Sequence, residues 1–141
     1  YNYFFICSNL ALLYFDKGRF KPAIKELSRI MLHKNFVNFA DSFQIKIIAA
    51  ELIIRSEIGD FDYLEQRILQ VRKKYKTGLN SKECSREKLL LEILEALIYT
   101  SSIKSNKSLM KKIEALLQSV SIDEAAELDV INYNKWLKDK F

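Results

Sequence analysis

Glycine and proline are scarce in this chain. Only three glycines and one proline occur among the 141 residues. A β-sandwich or β-barrel with many short strands needs frequent turns, which are made largely by these two residues. Leucine, isoleucine, lysine, glutamate and alanine are abundant, and most of them are good helix formers. About half of the residues are apolar, which is enough to bury a core. We therefore expect an all-α domain.

Cysteine and histidine are also rare. Cys7 and Cys84 are the only cysteines and His33 is the only histidine, and they lack the Cys-x-x-Cys or Cys/His spacing of a zinc site. Two cysteines so far apart do not form the disulfide framework of a small secreted domain. We therefore expect no metal and no cofactor, a cytoplasmic location, and His33 as a helix-end cation or a surface residue.

Long apolar runs and catalytic signatures are missing as well. Charged residues interrupt every apolar run before the roughly 20 residues that a membrane span needs, and no basic segment precedes the apolar start. The chain has no glycine-rich phosphate loop, HExxH motif or GxSxG motif. Acidic pairs lie opposite the apolar stripes, where we expect solvated surface: Glu92/Glu95, Asp123/Glu124 and Glu127/Asp129. The sequence predicts neither a membrane protein nor a signal peptide nor an enzyme.

Apolar periodicity predicts about seven helices. The first, from Asn2 to Phe15, and the third, from about Phe39 to Glu57, are apolar on most of their circumference. A glycine-bearing turn follows each of them, at Gly18 and Gly59, and leads into a helix with a single apolar stripe. Such alternation is typical of stacked antiparallel hairpins, because the inner helix of each pair contacts neighbours on both flanks.

Local signals place several helix ends. Pro22 suits the first turn of the second helix, and Asp60 is expected to cap the fourth. Residues 77–81 are predicted to form a loop, from which Asn80 or Ser81 caps a leucine-rich fifth helix.

The last third of the chain carries two further helix signals. A polar stretch at 101–108 separates the fifth helix from a sixth that begins near Leu109. Ser121 and Glu124 have the spacing of a capping box, in which each side chain satisfies a free N–H group of the other residue. This box predicts the start of a seventh helix, which holds Trp136 and Leu137.

The segment 9–27 resembles one tetratricopeptide repeat. Residues of the expected kinds stand at the matching places: Leu10, Ala11, Tyr14, Gly18, Phe20, Ala23 and Leu27. A degenerate second copy has Gly59, Phe61 and Leu64 at corresponding places. The two turn glycines are 41 residues apart, whereas the family period is about 34, so residues 35–39 are expected to take up the excess.

The resemblance implies a right-handed α–α superhelix of about seven antiparallel helices in a single domain, residues 1–141. The best repeat is 1–35, the degenerate repeat is 39–76, and 81–141 adds a helical pair with a C-terminal capping helix. The resemblance also implies the C-terminal part of a larger bacterial repeat protein. The start at Tyr1 instead of Met, followed by the apolar run 3–6, favours a piece cut from a longer chain. Missing upstream repeats of the same chain are expected to cover this run.

Members of this family bind proteins or peptides, often along a concave face lined by the first helix of each pair. The resemblance therefore implies a non-enzymatic scaffold with a protein or peptide partner. Polar and aromatic residues of the inner helices are the candidate binding residues: Asn2, Asn9, Gln44, Arg55, Lys88 and Tyr99. Asn9 is the foremost of these, because asparagines on first helices of peptide-binding members hold the ligand backbone through bidentate amide contacts.

Nucleic-acid binding is a second hypothesis. The net charge is +5, and the basic excess lies entirely in the first 80 residues. The candidate basic patch comprises Arg67, Arg72, Lys73, Lys74 and Lys76, with Tyr75 among them. Lysine and arginine release counterions from phosphate, and an aromatic ring stacks on bases. The same cluster also suits the C-terminal end of a helix, where cations favourably oppose the macrodipole.

Overall fold

The computed structural model describes residues 2–141, and all regular structure in this range is helical. The helices are α1 (Asn2–Asp16), α2 (Phe20–Met31), α3 (Asp41–Ile58), α4 (Phe61–Lys74), α5 (Lys76–Leu79), α6 (Ser85–Tyr99), α7 (Lys107–Ser119), α8 (Ile122–Leu128) and α9 (Tyr133–Lys140). Short 3-10 turns occupy Phe36–Asn38 and Lys82–Cys84. The all-α expectation is confirmed, although the described range holds nine α-helices rather than about seven.

Helices α1 and α2 form the first hairpin. Gly18 adopts the left-handed conformation, with φ of 72°, and the Arg19 N–H donates to the Tyr14 carbonyl at 2.8 Å to close the turn. Ala11 and Ala23 are both fully buried, and such small side chains allow two helix backbones to approach closely. The predicted glycine turn is therefore confirmed, as is Pro22 in the first turn of α2.

We expect Ala23→Leu to destabilise the protein by about 1–3 kcal/mol, because a larger side chain at a fully buried position overpacks the core. The free energy of unfolding in urea measures this effect. Lys25→Leu, at an exposed position of the same helix, is the matched control and should change stability by less than about 0.5 kcal/mol. Equal stability of the two variants would show that Ala23 does not lie at a tight contact.

Helix α3 lies at the centre of the core and packs against α2, α4 and α6. Gly59 ends it in the left-handed conformation, with φ of 85°. Asp60 occupies the N-cap position of α4 as expected, but its carboxylate makes no capping bond and lies 3.7 Å from the Arg55 guanidinium. Phe61 is 43% exposed because it opens α4 at the solvent-facing end of this hairpin, so its expected packing role is also wrong.

Most of the remaining predicted packing residues are in or against the core. Leu27 and Leu64 are fully buried, Tyr14 and Phe20 pack against the core, and Leu10 is half-buried. The connection between α2 and α3 spans residues 32–40 and contains the 3-10 turn, in agreement with the expected extra length at 35–39.

The loop predicted at 77–81 is wrong, because its first part forms α5. Asn80 and Ser81 do not cap α6, which begins without a side-chain cap; their side chains bond to carbonyl oxygens of the preceding turn instead. A Cβ atom on Gly78 would lie only 3.0 Å from the Ile45 side chain. This segment therefore packs closely on α3 and is not a free loop.

The C-terminal part differs most from the prediction. The Ser121 hydroxyl accepts the Glu124 N–H at 3.1 Å and caps a helix, α8, while the Glu124 carboxylate accepts from that hydroxyl instead of from the Ser121 N–H, so half of the expected capping box forms. The predicted seventh helix is nevertheless two helices, since the chain leaves helical geometry over residues 129–132 and resumes it in α9, where Asn132 is the N-cap. Trp136 and Leu137 belong to α9, which packs on α7 and α8. Within residues 2–141, the length and apolar character that a membrane crossing demands are not combined in any helix.

Candidate functional site

Arg86, at the start of α6, organises a buried polar network that holds the C-terminal segment in place. Its Nη1 donates to Asp129 Oδ1 at 2.5 Å, its Nη2 donates to Asn134 Oδ1 at 2.6 Å, and its Nε donates to Ser119 Oγ at 3.0 Å. The guanidinium also lies 5.0 Å from the centre of the Tyr133 ring. All five nitrogen-bound protons of arginine lie in one plane, so one side chain can join three partners.

Asp129 lies at the break between α8 and α9 and is 8% exposed. Its second carboxylate oxygen accepts the Tyr133 N–H at 3.0 Å, so the side chain also binds the first turn of α9. Burial raises the pKa of Asp129 above its usual value, although the Tyr133 N–H and the Arg86 guanidinium act in the opposite direction. Asn134 completes the link, because its amide donates to the carbonyls of Leu117 and Val120 at the end of α7.

A second set of buried groups continues the network toward α3. Glu87 is 1% exposed, and its carboxylate lies 3.3 Å from Lys46 Nζ. Tyr133 is fully buried, and its pKa is raised well above the usual value, chiefly by burial and further by the charge of Glu87. Ion pairs and hydrogen bonds to neutral side chains therefore join α3, α6, α7 and α9, while Glu87 Oε1 and the Tyr133 hydroxyl are buried without a hydrogen-bond partner in the described residues.

Trp136 fixes the other end of α9 to α3. Its indole Nε1–H donates to Glu57 Oε1 at 2.6 Å, and Lys140 Nζ lies 3.4 Å from the same oxygen. The Trp136 side chain is only 5% exposed. The C-terminal segment is thus bound to both the start of α6 and the end of α3, which makes it one wall of the space beside α1.

A cleft runs between α1 and the segment 126–132, and we call it the α1 cleft. It consists of two adjoining cavities of about 540 Å³ and about 480 Å³, which meet at Leu12, Ala126, Asp129 and Val130. Its wall is mostly apolar, with aromatic and aliphatic side chains from α1, α2, α3 and the 32–40 connection: Phe4, Phe5, Leu12, Phe15, Phe20, Phe39, Phe43 and Ile47. Ser8 and Asn9 of α1 and Lys46 of α3 add polar groups.

The predicted binding residues do not form one surface. Asn9 is exposed and lines the α1 cleft, whereas Asn2 is exposed but does not line it. Gln44 is 4% exposed: its amide donates to the Phe39 carbonyl at 2.8 Å and accepts from the Tyr75 hydroxyl at 2.6 Å. The interpretation of Gln44 as a ligand-facing residue is therefore wrong, because its hydrogen-bonding groups are used inside the protein.

The other three candidates lie outside the α1 cleft. The Arg55 guanidinium stacks 4.3 Å from the centre of the Tyr63 ring, next to Glu51 and Asp60. Lys88 is exposed and donates to Asn80 Oδ1 at 2.7 Å. Tyr99 is 68% exposed at the end of α6. Only Asn9 of the six predicted residues lines the cleft.

The predicted basic patch is partly neutralised. Arg67 Nε lies 3.1 Å from Glu51, and Arg72 Nη1 lies 2.7 Å from Glu95, whereas the other members, Lys73, Lys74 and Lys76, are exposed. Tyr75 is 4% exposed, so the expectation that it stacks on a base is wrong. Its hydroxyl donates to Gln44 Oε1 inside the core, a residue 31 positions earlier.

His33 lies two residues beyond the end of α2 and is partly exposed. Its Nδ1 accepts the Asn35 N–H at 3.1 Å, and its ring lies against Tyr3 and Phe4. In the range 2–141, no group of three or more His, Cys, Asp or Glu side chains is placed to hold a metal ion.

Sequence reasoning missed the Arg86 network. The sequence predicts that Asp129 and Glu127 both lie on solvated surface, yet only Glu127 of this pair is exposed. The available signal was Asp129–Asn132, a polar and β-branched stretch that interrupts the helical pattern of the last segment. A comparison with known protein families, with characterised proteins and with solved structures finds no match to this chain.

Proposed function

We propose that this chain is a non-enzymatic protein-interaction module and that the α1 cleft binds a segment of a partner protein. The observation that carries this proposal is the cleft itself: apolar side chains of α1 and α3 line it, and they face a wall that the Arg86 network holds in place. Binding grooves of this kind combine an apolar wall with a few polar groups that orient the ligand. Ser8, Asn9 and Asp16 are the polar residues that α1 contributes to the cleft.

A scaffold role also agrees with the state of the buried ionisable groups. Asp129 is paired with Arg86, and Glu87 is paired with Lys46. Each of these two carboxylates has an oxygen held in an ion pair inside the protein, which suits a structural role. We therefore assign them to the support of the cleft wall and not to chemistry.

The proposed architecture is a right-handed superhelix of hairpins, as the resemblance to tetratricopeptide repeats implies. The packing of α1 on α2, α2 on α3, α3 on α4 and α6, and α6 on α7 supports this arrangement. Ile6 and Leu13 lie on one face of α1 and are exposed, and we propose that upstream repeats of a longer chain cover this face. The cytoplasmic location stays a prediction.

We expect Leu12→Arg to abolish partner binding, because Leu12 lies where the two cavities of the cleft meet. Leu12 is only half-buried, so an arginine there should leave the fold intact, which circular dichroism verifies. The assay is co-purification with the native protein followed by direct titration of the purified partner against both forms. A loss of affinity of at least about tenfold corresponds to one well-packed contact residue.

Leu69→Arg is the matched control, because Leu69 is a 53%-exposed leucine of α4 outside the cleft. It should bind the partner like the native protein. Equal binding by the Leu12→Arg variant, or an equal loss by the Leu69→Arg variant, would contradict the placement of the binding surface. Steeply salt-dependent binding of DNA or RNA with no protein partner would instead favour the nucleic-acid alternative, for which the buried Tyr75 supplies no stacking surface.

A further inference from the structure

The α1 cleft is acidic although the chain is basic. Five carboxylates and two lysines line it: Asp16, Glu57, Glu127, Asp129, Asp139, Lys46 and Lys135. The net charge of the whole chain is +5. The sign of the charge in the cleft is therefore opposite to that of the protein as a whole.

Ion pairs inside the protein neutralise some of these groups but not all of them. Asp129 is paired with Arg86, Glu57 with Lys140, and Lys46 with Glu87. Asp16, Glu127 and Asp139 are exposed, and none of them forms an ion pair within residues 2–141. Lys135 is the one lysine of the cleft wall without such a partner in this range. Three free carboxylates thus face one free ammonium group.

The aromatic wall of the cleft sets the second requirement on a ligand; it lines the cavity that contains Glu127, whereas Asp16 and Asp139 line the adjoining cavity. Phe4 packs edge-on against Phe39 at 5.0 Å between ring centres, and Phe43 lies 5.0 Å from Phe39. Phe5 beside them is 68% exposed. A ligand that covers this surface removes aromatic area from water, which is favourable in proportion to the area covered.

We propose that the segment bound in the α1 cleft is amphipathic, with an apolar face against the aromatic wall and lysine or arginine residues beside Asp16, Glu127 and Asp139. This inference rests on the proposed function, because it specifies the chemistry of the same site. Carboxylates around the cleft repel phosphate groups, so the occupant is a basic protein segment and neither a nucleic acid nor an anionic lipid surface.

The test uses two fluorescent helical peptides with the same leucine-rich apolar face, one with lysine flanks and one with glutamate flanks. We expect the lysine peptide to bind about tenfold more tightly at low salt, because it can form up to three exposed charge pairs. The preference should shrink as salt is raised, since exposed charges are screened. Fluorescence anisotropy measures both affinities.

Two matched variants test which carboxylates cause the preference for the lysine peptide. Asp16→Asn/Glu127→Gln/Asp139→Asn should remove the preference for the lysine peptide. Asp62→Asn/Glu83→Gln/Glu114→Gln removes the same amount of charge from exposed positions outside the cleft and should preserve most of the preference.

The outcomes separate this inference from the proposed function. If the native protein binds both peptides equally and the Leu12→Arg variant binds neither, the charge proposal is overturned and the cleft remains the binding site. A preference that persists in the cleft variant would also overturn the charge proposal. Binding that does not depend on Leu12, or no binding of either peptide, would overturn both.

Discussion

Arg86→Met is expected to destabilise the protein by about 3–5 kcal/mol, the usual cost of removing one partner from a buried ion pair. The side-chain bonds from Arg86 to Asp129 and Asn134 would be lost together, and the buried Asp129 carboxylate would keep only the Tyr133 N–H. Methionine fills a similar volume, so the loss reflects charge and hydrogen bonding more than a cavity. Urea unfolding measures the free energy.

The destabilisation should depend on pH. Burial raises the pKa of Asp129 in the folded protein, and Arg86 opposes that rise, so the pKa is higher still in the Arg86→Met variant. A carboxyl with a raised folded-state pKa contributes most stability below its unfolded-state pKa of about 4 and loses that contribution as the pH rises through the folded-state pKa. The variant should therefore lose more stability than the native protein between about pH 4 and pH 7.

The control is the double variant Arg86→Met/Asp129→Asn, which has no carboxylate at this position. Between pH 4 and pH 7 the free energy of unfolding of this double variant should not show the extra decrease that is expected for Arg86→Met alone. A destabilisation by Arg86→Met that is the same at pH 4 and pH 7 would contradict the pairing of Arg86 with a charged Asp129.

Trp136→Ala is expected to destabilise the protein by about 3–5 kcal/mol, because it removes a 5%-exposed indole and the bond from its Nε1 to Glu57. Trp136→Phe keeps an aromatic ring in the site and removes the hydrogen bond with only part of the ring volume, so we expect a smaller loss of about 1–3 kcal/mol. Thermal unfolding followed by calorimetry distinguishes the two.

Hydrogen exchange adds a local measure for the same pair. Amide protons of α9 should exchange faster in Trp136→Ala than in Trp136→Phe, because α9 would lose its attachment to α3. Native-like stability and exchange in the alanine variant would show that α9 is held by the Arg86 network alone.

The helical hairpins could be predicted because their signals are local. Gly18 and Gly59 lie where a left-handed residue must end a helix, and the apolar stripes of α2 and α4 recur every three or four residues. The capping box at Ser121 is likewise a contact between residues three apart. Each of these features depends on a few neighbouring residues, so one sequence is enough to find it.

The C-terminal wall of the cleft could not be predicted, because its determinants are distant in the chain. Arg86 meets Asp129 across 43 residues, and Trp136 meets Glu57 across 79. Each of these side chains alone looks like an ordinary surface or core residue. The placement of Gln44 and Tyr75 on binding surfaces is wrong for the same reason. The two polar residues are distant in the chain and form a hydrogen bond with each other inside the core.

Hydrogen–deuterium exchange with and without the lysine-flanked peptide tests the central claim most directly. The account predicts slower exchange in α1 from Ser8 to Phe15 and in residues 126–131 when the peptide is bound, with no change in α4 and α5. Slower exchange confined to α4 and α5, with α1 and residues 126–131 unaffected, would contradict it.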